Sequence, residues 1–273
     1  MNARRIGPWI AVFIGALYFL LPLVATFQFS LSMLRGQWSF EAYRVVFADP
    51  RFHQTFLFSV VAALTTIAIG ALLVVPTAYW VRLRLPRLRP WVEFVTLLPL
   101  VIPPIVIVFG YLRLYNSSSW LPFTGTVAGT NVLMVFGYVV LSLPYMYRAV
   151  DTGLTAIDIR TLTEAAESLG ARRRTVLWRV ILPNVRAAVL SGAFLTFAIV
   201  IGEFVIASLL NRPAFGPYLQ LIGANRAYEP AALAMIAFAV TWGCMVMLQF
   251  VGGASPGQAK APPRRWFRRR QEG

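Results

Sequence analysis

Long stretches with no charged side chain, or with Glu203 alone, alternate with short basic segments along this chain. An α-helix needs about 20 apolar residues to cross a bilayer, and each stretch supplies them. The pattern predicts an all-α integral membrane protein. Its six transmembrane helices are expected at about residues 9–32, 55–81, 92–112, 128–147, 187–210 and 230–252. No polar helix faces remain that could form the surface of a soluble domain.

Composition agrees with this fold class, since 58% of the residues are hydrophobic and only 13% are charged. A soluble domain carries about twice that share of charge. Prolines interrupt three of the predicted spans, at Pro76, at Pro144 and at the group Pro99, Pro103 and Pro104. Kinked spans of this kind commonly border the cavity of a transporter.

The distribution of arginines predicts the orientation in the membrane. With both termini in the cytoplasm, only six of the 25 basic residues fall in outer loops, namely Arg35, Arg44, Arg51, Arg113, Arg212 and Arg226. This bias follows the positive-inside rule. The net charge of +15 therefore requires no nucleic acid. A basic tail at 253–273 is expected to be disordered and to lie against anionic membrane lipids.

Residue types that carry catalysis or bind cofactors are missing from the sequence. His53 is the sole histidine, and Cys244, the sole cysteine, falls inside the last span, which excludes disulfides and zinc clusters. Walker A and nucleophile-elbow motifs are also absent. We therefore predict a protein that is not an enzyme and that binds no cofactor or metal. Energy for any transport must come from another chain or from an ion gradient.

One polar segment stands out between the fourth and fifth predicted spans. Thr161 and Glu164 have the spacing of a capping box. The two alanines that follow are strong helix formers with little bulk. Gly170 can adopt the left-handed conformation that ends a helix, and Pro183 is expected to stop the next helix. The segment thus predicts a short helix at the membrane surface. One face of this helix carries only small side chains, so it can fit a groove of another protein.

The same segment resembles the EAA loop of ABC importer permeases. The family motif is Glu-Ala-Ala, three residues, Gly, nine residues, Ile, one residue and Leu-Pro. This chain matches it with Glu164, Ala165, Ala166, Gly170, Val180, Leu182 and Pro183. Val180 replaces the isoleucine, which is a conservative change. The loop's place between spans four and five extends the resemblance over nearly the whole chain.

The resemblance implies a MetI-like permease of a type I importer in the bacterial inner membrane. Residues 1–252 would form one transmembrane domain, with a cytoplasmic coupling loop at about 148–186. Such permeases pair as homodimers or heterodimers and accept substrate from an extracytoplasmic solute-binding protein. The EAA loop docks on a separate subunit that binds ATP and Mg²⁺. Arg172 to Arg174 would contact either that subunit or the lipid surface.

Two hypotheses stay open for Glu203, because an ionisable side chain inside a span is a functional candidate. It lines the translocation path, or it is a structural carboxylate bonded to a neighbouring span or to the partner permease. The pattern of the fifth span resembles the second permease of spermidine/putrescine importers. This implies polyamine uptake, with ferric iron, thiamine or phosphonate as alternatives. The alternative from another class is a secondary transporter or channel without an ATPase, but no internal repeat supports it.

Overall fold

The computed structural model describes residues 6–252, whose regular secondary structure is entirely helical. The long helices are α1 (Ile6–Ser30), α3 (Pro50–Leu83), α6 (Val127–Thr155), α9 (Leu182–Gly202) and α12 (Glu229–Gly252). The shorter ones are α2 (Glu41–Ala48), α4 (Arg89–Val101), α5 (Pro104–Leu114), α7 (Ile159–Ser168), α8 (Arg173–Thr175), α10 (Val205–Leu209) and α11 (Phe215–Asn225). The predicted basic tail and the arginines before Ile6 lie outside the described residues.

The predicted all-α membrane fold is confirmed. Five continuous helical segments are long and apolar enough to cross a membrane, and α4 with α5 makes a sixth if the pair counts as one broken span. The five are Trp9–Ser30, Pro50–Leu83, Val127–Thr155, Arg173–Gly202 and Glu229–Met247. Their order matches the predicted one, but several ends lie elsewhere.

The third predicted span, 92–112, consists of two helices bent by 96°. The bend lies at Ile102 and Pro103, whose ψ angles of 115° and 143° are extended rather than helical. Each of these residues precedes a proline, and a residue in that position avoids the helical conformation. Pro99, which was also expected to interrupt the span, lies inside α4 without breaking it.

The fifth predicted span, 187–210, was wrong at both ends. Helical structure already begins at Arg173 and continues into α9 through a π-helical turn, Val176–Ile181. It ends at Gly202 because Glu203 adopts an extended backbone, with a ψ of 129°. Residues 205–209 form the separate helix α10.

The centre of the bundle is formed by α3, α6 and α9, which pack most extensively on one another. Glycines permit the close approach of α6 and α9. A Cβ atom at Gly153 would lie 2.4 Å from the Ala188 Cβ atom, and one at Gly192 would lie 2.8 Å from the Met146 sulfur. Small residues at such interfaces are the usual means of packing helices in membranes.

The two ends of the bundle differ in their structure. At the end that we call the basic end, α3 and α6 finish, α4 and α9 begin, and α7 lies across them. At the opposite end, which we call the far end, α11 contacts the start of α3. There the Phe215 amide donates to Ser59 Oγ over 2.8 Å, and the Tyr218 hydroxyl donates to Asp49 over 2.8 Å.

Candidate functional site

Helix α7, which carries the first part of the EAA motif, is capped by Asp158. The Asp158 carboxylate accepts hydrogen bonds from the Thr161 amide at 3.1 Å and the Thr161 hydroxyl at 2.8 Å. These bonds, the backbone one foremost, lower the pKa of Asp158 below its ordinary value. The predicted Thr161–Glu164 capping box is therefore wrong. Glu164 instead accepts a hydrogen bond from Arg160 Nε at 2.8 Å.

The motif residues of α7 are divided between two faces of the helix. Glu164 and Ala165 are exposed. Ala166 packs inward against the core at the basic end, beside the buried Ile159 and Thr163. The exposed face of α7 is consequently free of bulk at Ala165, while Ala166 allows the helix itself to lie close to the bundle.

Two contacts join α7 to the end of α3. The Tyr79 hydroxyl hydrogen-bonds the Thr163 hydroxyl at 3.1 Å. Arg84 lies 3.7 Å from the Glu167 carboxylate. The paired residues are more than 80 positions apart in sequence, so no local pattern could have indicated them. They tie α7 to α3, while the most extensive packing of α7 is on the π-helical turn Val176–Ile181.

The three arginines after the motif glycine do not share one environment. The Arg173 guanidinium lies 5.7 Å from the centre of the Trp80 ring, in the range of a cation–π contact. It therefore faces the end of α3. Arg172 and Arg174 are exposed. Arg173 is exposed as well, so contact with lipid or with a partner subunit stays a prediction for all three arginines.

Gly170 adopts the left-handed conformation that the sequence predicted, with a φ of 80°. Its amide donates to the Glu167 carbonyl oxygen at 2.9 Å, and the Ala171 amide donates to that of Ala166 at 3.0 Å. A Cβ atom at Gly170 would meet nothing within 4 Å, so the backbone angle and not space requires glycine here. Leu169, which the motif does not include, is 89% exposed and gives the tip of α7 an apolar side chain.

The last motif residues lie where the π-helical turn enters α9. Val180 and Leu182 are half-buried and pack against the same core as α7. The Leu182 amide bonds the Leu177 carbonyl oxygen, five residues back. Pro183 has no amide to donate, and the Asn184 side chain bonds the Val180 carbonyl oxygen at 2.7 Å. Pro183 was expected to stop a helix, but it stands in the first turn of α9, where its missing amide is tolerated.

An ion network at the basic end connects α3, α4 and α6. Arg82 binds Asp151 in bidentate fashion, at 2.6 and 2.9 Å. Arg89 reaches the same carboxylate at 3.2 Å and Glu93 at 2.7 Å. The side chains of Arg82 and Asp151 are only 16% and 15% exposed. The rule that ionisable groups near spans find a partner could have suggested this pair, but not its geometry.

Glu203 lies away from the loop, at the other end of the 21-residue α9, roughly 30 Å along the helix axis. Its side chain is buried, and its two oxygens accept from the amides of Ile206 at 2.9 Å and Ala207 at 3.3 Å. The Glu203 carbonyl oxygen is covered by Gly216, where a Cβ atom would lie 2.2 Å away. Both amides belong to α10, the next helix along the chain, so these bonds do not test whether Glu203 bonds a neighbouring span or a partner permease. The translocation-path hypothesis stays a prediction.

Comparison with known proteins decides the family. Residues 70–256 match the model for the binding-protein-dependent transport system inner membrane component. The chain belongs to this family. Residues 6–252 contain no group of three or more His, Cys, Asp or Glu side chains that could hold a metal ion.

Three relatives show what this permease is similar to. It is 33% identical over 151 residues to a probable molybdenum ABC transporter permease protein of Haloferax volcanii, a match that spans only 54% of each chain. It is 30% identical over 195 residues to the molybdenum transport system permease protein ModB of Mycobacterium tuberculosis, covering 70% of each chain. It is 28% identical to the sulfate transport system permease protein CysT of Synechocystis, covering 72% of this chain and 69% of that one.

A solved structure confirms the fold. A chain of a bacterial alginate ABC transporter in complex with a periplasmic protein superposes with a TM-score of 0.71. The superposition covers 90% of this chain and 92% of that one, at 12% identity. Such a low identity bears on the fold alone.

The chain is thus a permease subunit of an ABC importer, a transport component rather than an enzyme. Such a subunit works with an ATP-hydrolysing subunit and a binding protein. The resemblance read from the EAA loop is confirmed, and the alternative of an ATPase-independent transporter is set aside. The expected polyamine specificity finds no support, because these relatives are named for molybdenum and sulfate.

Proposed function

We propose that this permease imports a tetrahedral oxyanion of the molybdate or sulfate type. The observation that carries the proposal is the similarity to ModB and CysT over about 70% of the chain. A carboxylate on the translocation path would suit a cation, but that of Glu203 is buried and accepts hydrogen bonds from two backbone amides.

Uptake of labelled ions tests the substrate. Cells that carry the permease with its ATPase and binding protein should accumulate labelled molybdate or sulfate, and cells without the permease should not. Putrescine is the comparison, because the sequence alone suggested a polyamine. Permease-dependent uptake of putrescine, with none of either oxyanion, would overturn the assignment.

We further infer that the ATP-hydrolysing subunit docks on the exposed face of α7, at Glu164, Ala165 and Leu169. Three observations support this: the face is solvent-accessible, the helix carrying it is joined to α3, and its chain continues through the π-helical turn into α9. A displacement of α7 would therefore reach two central helices. A second permease, identical or different, completes the translocation path in this proposal.

Substitutions at two glycines distinguish a loss of coupling from a general loss of function. Gly170→Val places a β-branched residue at a φ of 80°, which such residues avoid. We expect loss of transport while ATP hydrolysis continues. Gly36→Val imposes the same strain at a φ of 76°, also with nothing within 4 Å, in the loop after α1. Equal loss of transport in the two variants would contradict a specific role for Gly170.

Cysteine labelling tests the proposed orientation, in which both termini and α7 are cytoplasmic. Ser168 is exposed at the end of α7, so Ser168→Cys in a Cys244→Ser background offers a single accessible thiol. It should react with an impermeant reagent only from the cytoplasmic side. Reaction from the outside in intact cells would reverse the orientation.

A further inference from the structure

A polar pocket of about 240 Å³ lies between α4 and α6 at the basic end. The side chains that define its chemistry are Arg89, Glu93, Tyr147, Arg148, Asp151 and Thr152. A single water needs about 10–15 Å³ of such space, so the pocket is many times larger than one water site. That space accommodates a tetrahedral oxyanion with part of its hydration shell.

Both carboxylates at the pocket already have cationic partners. Asp151 is bound by Arg82 at 2.6 and 2.9 Å and by Arg89 at 3.2 Å. Glu93 accepts from Arg89 at 2.7 Å. The two negative charges are therefore balanced by Arg82 and Arg89. Any positive charge beyond these two is available to an anion.

Arg148 supplies that additional charge. Among residues 6–252, its guanidinium forms no hydrogen bond or ion pair. The side chain is exposed and lies at the border between this pocket and an apolar groove of about 480 Å³ between α4, α6 and α9. A guanidinium that is unpaired and borders a pocket can bind phosphate-like oxygens through charge-assisted hydrogen bonds.

A second, independent group at the pocket also lacks a partner. The Tyr147 side chain is 4% exposed, and its buried hydroxyl forms no hydrogen bond with any described residue. It lies in the electrostatic field of Asp151, Glu93 and Arg89. Buried hydroxyls are normally bonded, so one that is not calls for an unseen water or ion.

We propose that Arg148 and the Tyr147 hydroxyl, with Arg89 beside them, form a binding site for a tetrahedral oxyanion group. The group comes either from a free ion or from the phosphate of a lipid headgroup, since both present the same oxygens to a guanidinium. Identifying the free ion as the transported substrate rests on the proposed function. The site itself does not.

The test measures binding to the intact permease, assembled with its ATPase in nanodiscs of zwitterionic lipid. Labelled sulfate, molybdate and inorganic phosphate are the probes. Arg148→Gln should weaken binding by about tenfold or more, because it removes a charge-assisted hydrogen bond, and Tyr147→Phe should weaken it by about threefold. Arg113→Gln is the matched control. It removes the same charge from an exposed arginine on α5 and should leave binding unchanged.

Lipid analysis of the same samples distinguishes the two sources. If headgroups fill the site, the unmodified protein binds little free oxyanion, and Arg148→Gln but not Arg113→Gln loses tightly bound anionic lipid in mass spectrometry. The site is overturned if Arg148→Gln changes neither ion binding nor bound lipid. Retained phosphate binding without cellular uptake of molybdate or sulfate would instead remove only the proposed substrate.

Discussion

Helices α6 and α1 are both apolar enough to cross a membrane, yet they are packed very differently. Half of the apolar stretch of α6 is buried, whereas none of the apolar stretch of α1 is. α6 lies between α3 and α9, while α1 packs mainly on α12 at the edge of the bundle. Apolarity therefore identifies a span but does not indicate what the span packs against.

The physical reason is that lipid is as apolar as a leucine side chain, so the hydrophobic effect gives no drive for helices to associate. Close packing and polar contacts must supply it. α6 has both, at Gly153, which approaches Ala188, and at Asp151, which binds Arg82. Along the membrane segment of α1, a Cβ atom added at Gly15 would meet nothing within 4 Å. Four substitutions sharpen this contrast.

The largest loss is expected from Asp151→Asn in the centre. The substitution leaves Arg82, which is 16% exposed, without its counter-charge. Breaking a buried ion pair costs about 3–5 kcal/mol, and we expect about 3 kcal/mol because the pair is not fully buried. Unfolding of the purified permease in detergent against temperature or denaturant measures it. Glu41→Gln, which breaks a pair with the 81% exposed Arg44, should change little.

Gly153→Ala should rank second. Its new Cβ atom would lie 2.4 Å from the Ala188 Cβ atom, and neither atom can rotate away, so α6 and α9 must separate. Overpacking costs about 1–3 kcal/mol, and the upper part of that range applies here. The same unfolding measurement checks it. The double variant Gly153→Ala with Ala188→Gly should recover most of the loss.

Ser59→Ala should have a smaller effect of about 1–2 kcal/mol. It removes the acceptor of the buried Phe215 amide, which then stays unsatisfied. Thr65→Val on the same helix is the control, since Thr65 is exposed and bonds only the carbonyl oxygen of its own helix at Val61. Equal unfolding curves for Ser59→Ala and the unmodified protein would show that this contact contributes nothing.

Gly15→Ala in α1 should have the smallest effect, below about 0.5 kcal/mol in the isolated chain. Nothing lies within 4 Å of the added methyl group. The substitution is chemically the same as Gly153→Ala, so the pair isolates the effect of packing. A loss comparable to that of Gly153→Ala would mean that α1 is packed as tightly as α6.

Features set by local chemistry could be predicted from the sequence. The break between α4 and α5 follows from Pro103 and Pro104, and the left-handed turn follows from Gly170. The positions of the EAA motif could also be predicted, because the motif is defined by spacing along the sequence. Their resemblance to the family indicated a role that no single side chain reveals.

Features set by tertiary contact could not be predicted. The hydrogen bond between Tyr79 and Thr163 joins residues 84 positions apart. Gly216 packs over the Glu203 carbonyl oxygen at the end of α9. The Arg82–Asp151 pair joins residues 69 positions apart. In each case the partner is distant in the chain.

The π-helical turn before α9 sets the rotational phase of that helix. Each residue of an α-helix advances the side-chain direction by about 100°, and a π-helical turn contains about one residue more than an α-helical turn. The surplus residue within Val176–Ile181 therefore rotates all of α9 by about 100° relative to α8. Deleting it would leave the span just as apolar, but it would turn Gly192 away from Met146 or re-aim the arginines before it.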